Sequence, residues 1–254
     1  MLKGCHGLVT GAARGIGAAI ARTLAAEGVM LTLLGRNEDT LQELAASLPG
    51  QHGIVVADVS QAGQVEAAFE RARAERGPLH ILVNNAGQAE SAPFNRTGLD
   101  LWQRMLAVNL TGTFLCSQAA LPDMLTAGRG RIVNIASTAA QKGYAYVSAY
   151  VAAKHGVLGL TRSLALEVAR KGITVNAVCP GYTDTDILRE SIANVVAQTG
   201  RSEAQALEAF ASGNPQHRIV QPQDVADAVR WLCGEGAAAL TGQAISVSGG
   251  EVMQ

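Results

Sequence analysis

The stretch that decides the fold is residues 7–17, which read Gly-Leu-Val-Thr-Gly-Ala-Ala-Arg-Gly-Ile-Gly. Its first four residues form a short apolar run typical of a buried strand, and the residues from Ile16 onward follow the spacing of an amphipathic helix. The glycines between the two allow a tight connection that brings the backbone close to the start of the helix. Residues 7–17 therefore predict a strand, a glycine-rich turn and a helix, in that order.

The same alternation continues to the end of the chain. Short apolar runs predict strands at residues 7–10, 29–34, 54–57, 81–84, 132–135, 174–178 and 244–247. Longer amphipathic stretches predict helices at residues 16–27, 39–47, 64–76, 101–124, 149–170 and 224–232. Because the strands are almost wholly apolar, helices are expected to cover both faces of a parallel sheet. The predicted fold is α/β, a Rossmann-type doubly wound parallel sheet of about seven strands.

The chain has 254 residues, and no repeat, low-complexity tract or linker divides it. We therefore predict a single domain over residues 1–254. Residues 183–218 depart from the alternation, with two helix-like pieces separated by Gly200 and a turn signal at Gly213-Asn214-Pro215. Ligands of doubly wound folds bind outside the carboxyl ends of the strands. We interpret residues 183–218 as a substrate lid over that cleft.

Composition excludes several classes of protein. Hydrophobic residues make up 48% of the chain, which is enough for a large core and excludes a disordered protein. The formal net charge is −1 with no run of Lys or Arg, so we expect no nucleic-acid partner. No apolar run reaches the ~18 residues that span a membrane. The four cysteines are scattered, which predicts neither disulfides nor a metal site and favours a soluble cytoplasmic protein.

The turn at residues 10–17 has the chemistry of a phosphate-binding loop. Backbone N–H groups and the dipole at a helix start favour an anion such as a diphosphate. The spacing is G-x-x-x-G-x-G rather than the common G-x-G-x-x-G, so a plain tight turn is the alternative for the loop taken alone. The candidate cofactor-binding residues here are Thr10, Gly11, Arg14, Gly15, Ile16 and Gly17.

The end of the second predicted strand bears on the choice of cofactor. A NAD-selective site places Asp or Glu there to bind the ribose 2′-hydroxyl, but this chain has Gly35 followed by Arg36. Arg36 and Arg14 lie on neighbouring loops and would suit a bidentate clamp for a 2′-phosphate. We therefore predict NADP. The alternative is NAD, with both arginines solvated and Glu38 or Asp39 serving the ribose.

A second set of polar residues surrounds the start of the predicted helix 149–170. Tyr150 and Lys154 lie four residues apart and so share one helix face. A nearby ammonium favours the phenolate, which would let Tyr150 act as a general acid or base near neutral pH. Alone, the pair would equally suit an ordinary helix surface. Other motifs accompany it: Asn84-Asn85-Ala86-Gly87, Ser137 and Pro180-Gly181 at strand ends, and Asn109 within a helix.

Together with the glycine loop, these motifs closely resemble the short-chain dehydrogenase/reductase family, from about Gly7 to Gly250. The resemblance implies hydride transfer between a nicotinamide cofactor and a carbonyl or secondary alcohol, which requires no metal. It implies that Tyr150 is the general acid/base and that Ser137 hydrogen-bonds the substrate carbonyl. It also implies that Lys154 binds the nicotinamide ribose and favours the phenolate, and that Asn109 positions a relay water.

The resemblance extends to further cofactor contacts. It implies that Asp58 and Val59 lie at the adenine and that Asn85, Ala86 and Gly87 line the cofactor edge of the sheet. It places Thr183 and Thr185, after Pro180 and Gly181, at the nicotinamide carboxamide. His155 follows Lys154 directly and therefore points to another helix face, so we interpret it as structural.

The substrate is chosen by segments outside these motifs, at residues 88–94, 138–147 and 183–218. They contain side chains that either form a largely apolar pocket or only pack the lid, namely Tyr144, Tyr146, Tyr182, Ile187 and Leu188. Residues 137–160 and 220–250 resemble 3-oxoacyl reductases, whose thioester substrates are carried on coenzyme A or an acyl carrier protein, and 3-hydroxyacyl dehydrogenases. We therefore expect a 3-oxoacyl thioester and 3-hydroxyacyl pair.

Two alternatives to that expectation remain open at this point. One is a NAD-dependent dehydrogenase of a small or cyclic alcohol. The other is a nucleotide-binding scaffold without turnover, which the complete set of catalytic residue types disfavours. Members of the family form tetramers through two long helices, here residues 101–124 and 149–170, and through the last strand. The resemblance therefore implies a homotetramer.

Overall fold

Seven strands form one parallel sheet in the computed structural model, which describes residues 2–253. The strands are β1 His6–Thr10, β2 Met30–Gly35, β3 Gly53–Val56, β4 Ile81–Asn84, β5 Gly130–Ile135, β6 Ile173–Pro180 and β7 Ala244–Val247. Their order across the sheet is β3-β2-β1-β4-β5-β6-β7, and every neighbouring pair is parallel. The predicted doubly wound sheet is confirmed.

Helices cover both faces of this sheet. The α-helices are α1 Gly15–Ala26, α2 Glu38–Ser47, α3 Ala62–Arg76, α4 Leu99–Leu106, α5 Gly112–Ala127, α6 Ser148–Val168, α7 Asp186–Thr199, α8 Glu203–Ala211 and α9 Pro222–Cys233. Side chains of α1, α2 and α9 form one large apolar core with the sheet, and those of α3, α5 and α6 form another. The apolar strands are buried between these two layers, as parallel sheets require.

The strand order reverses between β1 and β4, where the chain crosses from one half of the sheet to the other. The hydroxyl of Thr10, the last residue of β1, accepts hydrogen bonds from the backbone N–H groups of Asn85 and Ala86, each at 3.0 Å. These bonds hold the ends of β1 and β4 together. Ligands of open α/β sheets bind in the crevice at such a reversal, so we expect the functional site at this edge of the sheet.

The predicted helix 101–124 is interrupted in the structure by a π-helical turn at Ala107–Thr111, between α4 and α5. Within the turn, Asn109 Nδ2 donates to the carbonyl of Met105 at 3.0 Å, and Thr113 Oγ1 donates to the carbonyl of Asn109 at 2.9 Å. Side-chain hydrogen bonds thus satisfy backbone groups that a regular α-helix would pair internally. A π turn adds only one residue to the helix, so the apolar spacing on either side stays nearly intact. Sequence periodicity therefore does not reveal the π turn.

Residues 183–218 contain the two predicted helical pieces, α7 and α8, and α7 ends at Gly200 in the left-handed conformation. The two helices share a small apolar core of Leu188, Ile192 and Ala206. A bridge between Thr183 and Val220 joins the two ends of this segment. The segment therefore packs as a unit beyond the carboxyl end of β6. Within residues 2–253, none of the helices is both long and apolar enough to span a membrane.

Candidate active site

The glycine loop is shaped by the close approach of three backbone segments. Gly11 and Gly15 have φ values of +61° and +53°, in the left-handed region that favours glycine. A Cβ on Gly17 would overlap the carbonyl oxygen of Gly11 and lie 2.5 Å from Asn85 Nδ2. These contacts leave room for no side chain at Gly17.

Helix α1 starts directly after this loop without capping from the protein. Its N-cap residue, Arg14, makes no side-chain capping hydrogen bond, and the first turn contains no acidic residue. The N–H groups of the first turn, which start at Gly15 and include Ile16, therefore have no partner within the helix. A helix start of this kind suits an anion, so the residues present fit the diphosphate of a dinucleotide.

Two residues predicted to bind the cofactor use their side chains to hold the loop in place. The side chain of Thr10 is buried and bonds to the segment after β4, as described above. Asn85 Nδ2 donates to the carbonyls of Thr10 and Gly11, each at 3.0 Å. Both side chains thus have partners within the protein. Gly87 is exposed, and a Cβ there would lie 2.9 Å from Asn109 Oδ1.

The two arginines predicted to form one clamp point to different partners. Arg36 follows β2 on the surface, and its charge acts on Asp58. Burial acts to raise the pKa of Asp58, but hydrogen bonds from Ser60 and the Arg36 charge outweigh it, so that pKa is lowered. Arg14 Nη1 lies 3.1 Å from Asp186 Oδ2 at the start of α7. In this structure, therefore, the clamp of both arginines is not assembled, because the Asp186 carboxylate holds Arg14.

The residues predicted to contact the adenine, Asp58 and Val59, follow β3. The backbone N–H of Asp58 donates to Gln64 Oε1 at 2.8 Å. Val59 is buried against Gly112, where a Cβ would lie 2.8 Å from Val59 Cγ2. Glu38, the alternative partner for the ribose, accepts a hydrogen bond from Gln42 at 3.2 Å along α2. Glu38 thus points along its own helix, and Arg36 is the first charged side chain after β2.

Tyr150, Ser137 and Lys154 come together at the carboxyl ends of β5 and β6. Tyr150 is hydrogen-bonded to Ser137, whose hydroxyl also accepts the N–H of Ala139 at 3.0 Å. Lys154 is buried, and its Nζ donates to the carbonyl of Ile135 at 2.9 Å. That Nζ lies 5.7 Å from the centre of the Tyr150 ring. The first two turns of α6 and the end of β5 therefore position a phenol, an ammonium and a hydroxyl close together.

The pKa of Tyr150 shifts in the opposite direction from the one expected from the nearby Lys154. Burial raises the pKa of Tyr150, and the hydrogen bond with Ser137 offsets that rise only in part. Burial also lowers the pKa of Lys154 to about 8. The ammonium donates to a backbone carbonyl and does not outweigh the cost of burying a phenolate. Tyr150 is thus protonated at neutral pH, which suits a proton donor.

Asn109 is fully buried in the π turn, next to the segment that follows β4. Its Nδ2 donates to the carbonyls of Gln88 and Met105, and its Oδ1 accepts the N–H of Gln88 at 3.2 Å. These bonds fasten the segment after β4 to the π turn. A Cβ on Gly87 would lie close to both Asn109 Oδ1 and Lys154 Nζ, which shows that the two side chains flank one backbone segment.

The segment after β6 closes the cleft from the other side. Pro180 is buried and Gly181 N donates to the carbonyl of Val247 at 3.0 Å, which ties this turn to β7. Thr183 Oγ1 donates to the carbonyl of Gly181 at 2.9 Å, and Thr185 Oγ1 donates to that of Thr183 at 3.2 Å. The Thr185 methyl lies against Gly15, where a Cβ would be 3.1 Å away. Residues 183–218 therefore start in contact with the glycine loop.

The aromatic residues divide between the cleft and the lid. Tyr144 and Tyr182 pack edge to face with ring centres 6.1 Å apart, whereas Leu188 is buried inside the lid. Ile187 and Tyr146 are exposed, and Tyr146 has a φ of +67°. Only part of the predicted apolar set therefore forms a continuous wall.

Sequence reasoning missed Glu251. This residue follows the glycine pair at the C-terminal end, and its carboxylate is buried against Tyr144 and Lys142. The available signal was a single charge in an otherwise apolar tail, but no spacing connects position 251 with position 144. Three other interpretations concern His155, the cysteines and metal ions. His155 is exposed, all four cysteines are buried, and no cluster of metal-ligating side chains occurs within residues 2–253.

Comparisons with known proteins agree with this geometry. The model of the family described as "short chain dehydrogenase" matches residues 6–196. The chain is 40% identical over 248 residues to ketoacyl reductase 1 assigned to the granaticin polyketide synthase of Streptomyces violaceoruber, covering 96% of this chain and 91% of the relative. It is 36% identical to D-beta-hydroxybutyrate dehydrogenase of Rhizobium meliloti, covering 97% and 98% of the two chains.

A solved structure shows the same architecture. The crystal structure of a variant of actinorhodin polyketide ketoreductase with NADPH superposes with a TM-score of 0.92 at 39% identity, covering 97% of each chain. The match thus includes the sheet, the glycine loop and the lid segment. The chain belongs to the short chain dehydrogenase family and is an oxidoreductase that works with a nicotinamide cofactor.

Proposed function

We propose that the protein is a single-domain NADPH-dependent ketoreductase that reduces a 3-oxoacyl thioester to the 3-hydroxyacyl form, with residues 183–218 as the substrate lid. The observation that carries the reaction type is the Tyr150 hydroxyl hydrogen-bonded to Ser137, with the buried Lys154 Nζ 5.7 Å from the centre of the Tyr150 ring. The likeness to polyketide ketoacyl reductases over nearly the whole chain supports the thioester substrate.

A bound nicotinamide cofactor would supply the hydride to the substrate carbonyl. The residues of this chain supply the rest of the chemistry. Ser137 Oγ donates a hydrogen bond to the carbonyl oxygen, and Tyr150 transfers its phenolic proton to that oxygen as negative charge develops there. The product is a secondary alcohol, and Tyr150 is left as a phenolate that takes up a proton from solvent.

Lys154 and Asn109 support the proton transfer. The ammonium of Lys154 stabilises the transient phenolate, because the opposite charge is 5.7 Å from the ring centre in a buried environment. It also hydrogen-bonds the nicotinamide ribose in this proposal. Asn109 Oδ1 keeps one lone pair beyond its bond to Gln88 and positions the relay water that returns the proton.

The test of the proposed function is NADPH oxidation by the purified protein with acetoacetyl coenzyme A. We expect turnover with NADPH and formation of the 3-hydroxyacyl product. A protein that binds NADPH but leaves a series of 3-oxoacyl thioesters unreduced would contradict the thioester assignment. The likeness to D-beta-hydroxybutyrate dehydrogenase makes a 3-hydroxy acid the second candidate, and oxidation of 3-hydroxybutyrate with NAD would favour it.

The choice of NADP depends on Arg36 in this proposal. We expect Arg36→Asp to weaken NADPH binding about 10- to 100-fold and to leave NADH binding unchanged or stronger, because a charge-assisted contact to the 2′-phosphate contributes roughly 1.5–3 kcal/mol. Fluorescence titration with each cofactor measures the ratio of the Kd values for NADPH and NADH. Arg201→Asp, an exposed residue between α7 and α8, is the charge-matched control and should leave the ratio unchanged. Equal loss of both cofactors in Arg36→Asp would exclude a 2′-phosphate contact.

We also propose a homotetramer. Leu166 of α6 is 82% exposed and Phe114 of α5 is 43% exposed, so the two long helices present apolar side chains to the surface. A second copy packed on these helices would bury them. Light scattering at micromolar concentration should give the mass of four chains. A monomer mass would refute this assembly.

A further inference from the structure

Glu251 places a buried carboxylate beside the candidate active site. Its side chain is only 3% exposed. Glu251 Oε1 accepts a hydrogen bond from the Tyr144 hydroxyl at 2.5 Å and lies 3.0 Å from Lys142 Nζ. Lys142 Nζ also lies 4.9 Å from the centre of the Tyr144 ring. We call these three residues the tail cluster, because Glu251 brings the C-terminal tail into contact with the segment that follows Ser137.

The tail cluster belongs to the wall of the cleft. The Tyr144 hydroxyl is also hydrogen-bonded to Thr138 Oγ1 at 2.7 Å, and Thr138 directly follows Ser137. On its other side the Tyr144 ring packs edge to face against Tyr182, which in turn packs against Phe210 of α8 with ring centres 4.7 Å apart. The cluster therefore connects the Ser137 segment with the lid.

The two charged side chains of the tail cluster, Lys142 and Glu251, differ in solvent exposure. Lys142 is 41% exposed, whereas the carboxylate of Glu251 is almost wholly buried. A buried carboxylate needs a charged or hydrogen-bonding partner, and Glu251 has both in Lys142 and Tyr144. Its negative charge also acts on the neighbouring aromatic wall: burial raises the pKa of Tyr182, and Glu251 raises it further.

Pairing with Glu251 removes the attraction that Lys142 would otherwise exert on anions. An unpaired, partly exposed ammonium next to Tyr144 would attract a substrate carboxylate, because opposite charges attract one another near a protein surface. With Glu251 in place, the charge of Lys142 is neutralised, and a substrate carboxylate is repelled by the negative charge of Glu251. An uncharged ester or thioester meets no such penalty.

We propose that Glu251 is a specificity-determining residue that neutralises Lys142 and fixes the Tyr144 ring, so that the cleft accepts an uncharged 3-oxoacyl ester or thioester and rejects the corresponding free acid. This inference rests on the proposed function, since it names the charge class of the substrate for the same site. Glu251 acts on the substrate through Lys142 and Tyr144 and is therefore a positioning residue rather than a catalytic one.

The test measures binding rather than turnover. Calorimetric titration of the NADPH complex with 3-hydroxybutyrate and with ethyl 3-hydroxybutyrate gives the Kd of two ligands that differ in one charge and do not react with the reduced cofactor. We expect the wild type to bind the ester at least tenfold more tightly than the acid. Glu251→Gln keeps an acceptor for Tyr144 and frees Lys142, so it should bind the acid about tenfold more tightly and the ester unchanged, a shift of about 1.4 kcal/mol.

Two control variants test whether the effect depends on the Lys142–Glu251 pair. The double variant Lys142→Met with Glu251→Gln removes both charges and should restore the preference for the ester. Glu70→Gln, an exposed residue of α3, should leave both Kd values unchanged. Equal affinity of the wild type for the two ligands would overturn the inference. So would an equal change for both ligands in Glu251→Gln, or no measurable binding of the ester.

Failure of the proposed function has a separate signature. A wild-type protein that shows the ester preference and the Glu251→Gln shift, but does not reduce any 3-oxoacyl thioester, would contradict the proposed reaction and support the charge selection. Turnover of acetoacetyl coenzyme A without the shift in Glu251→Gln would support the proposed reaction and contradict the charge selection.

Discussion

Tyr150→Phe should reduce kcat for the reduction of acetoacetyl coenzyme A about 10³-fold, because the variant lacks the hydroxyl that donates a proton to the carbonyl oxygen. General acid catalysis by a positioned side chain contributes roughly 10²–10⁴-fold. The Kd of NADPH should stay within about twofold, since the phenyl ring remains and the glycine loop lies elsewhere. Stopped-flow or steady-state NADPH oxidation and a fluorescence titration measure the two quantities.

His155→Gln is the matched control for that variant. His155 is exposed on the same helix, and its ring nitrogen contacts the carbonyl of Val151 at 2.9 Å. Its replacement should leave kcat unchanged, although histidine is the commonest general acid in enzymes. If Tyr150→Phe kept more than a tenth of the activity, or if His155→Gln lost activity to the same extent, Tyr150 would not be the proton donor.

Gly17→Ala should weaken NADPH binding about a hundredfold. The new Cβ would overlap the carbonyl oxygen of Gly11 and lie 2.5 Å from Asn85 Nδ2. The first of these contacts is with backbone, so the loop itself has to move, and overpacking of this kind costs about 1–3 kcal/mol. Because the N–H groups of the loop and of the first turn of α1 would move with it, the loss should appear mainly in cofactor affinity, measured by fluorescence titration.

Gly63→Ala is the control for an added methyl group. Gly63 is in the first turn of α3, and a Cβ there meets no atom within 4 Å. The variant should bind NADPH like the wild type and have an equal or higher Tm, since alanine favours a helix over glycine. Gly17→Ala with wild-type affinity for NADPH would mean that the glycine loop does not hold the cofactor.

Much of the fold was predictable because strands and helices of this size follow from local patterns. Every predicted strand overlaps an observed one, and the run 244–247 matches β7 at both ends. The motif residues Ser137, Tyr150 and Lys154 were predictable from the resemblance to the short-chain dehydrogenase/reductase family, since the spacing of Tyr150 and Lys154 alone would equally suit an ordinary helix surface. Their proximity depends only on the parallel order of the strands.

Other features follow from contacts between distant parts of the chain. Arg14 pairs with Asp186 of the lid, although the sequence favoured a clamp with Arg36. Burial raises the pKa of Tyr150, although the nearby Lys154 favoured the opposite direction. Spacing along the chain carries no information about either effect, because both depend on which groups the fold buries or brings within a few ångströms.

Local patterns are enough to establish the α/β class and the glycine-rich turn, because periodicity and turn chemistry act between residues close in the chain. Three further features emerge only from the folded chain: Thr10 and Asn85 hold the loop, Asn109 lies in a π turn, and Glu251 is buried beside Tyr144. Such long-range pairs form where packing excludes water and every buried polar group requires a partner.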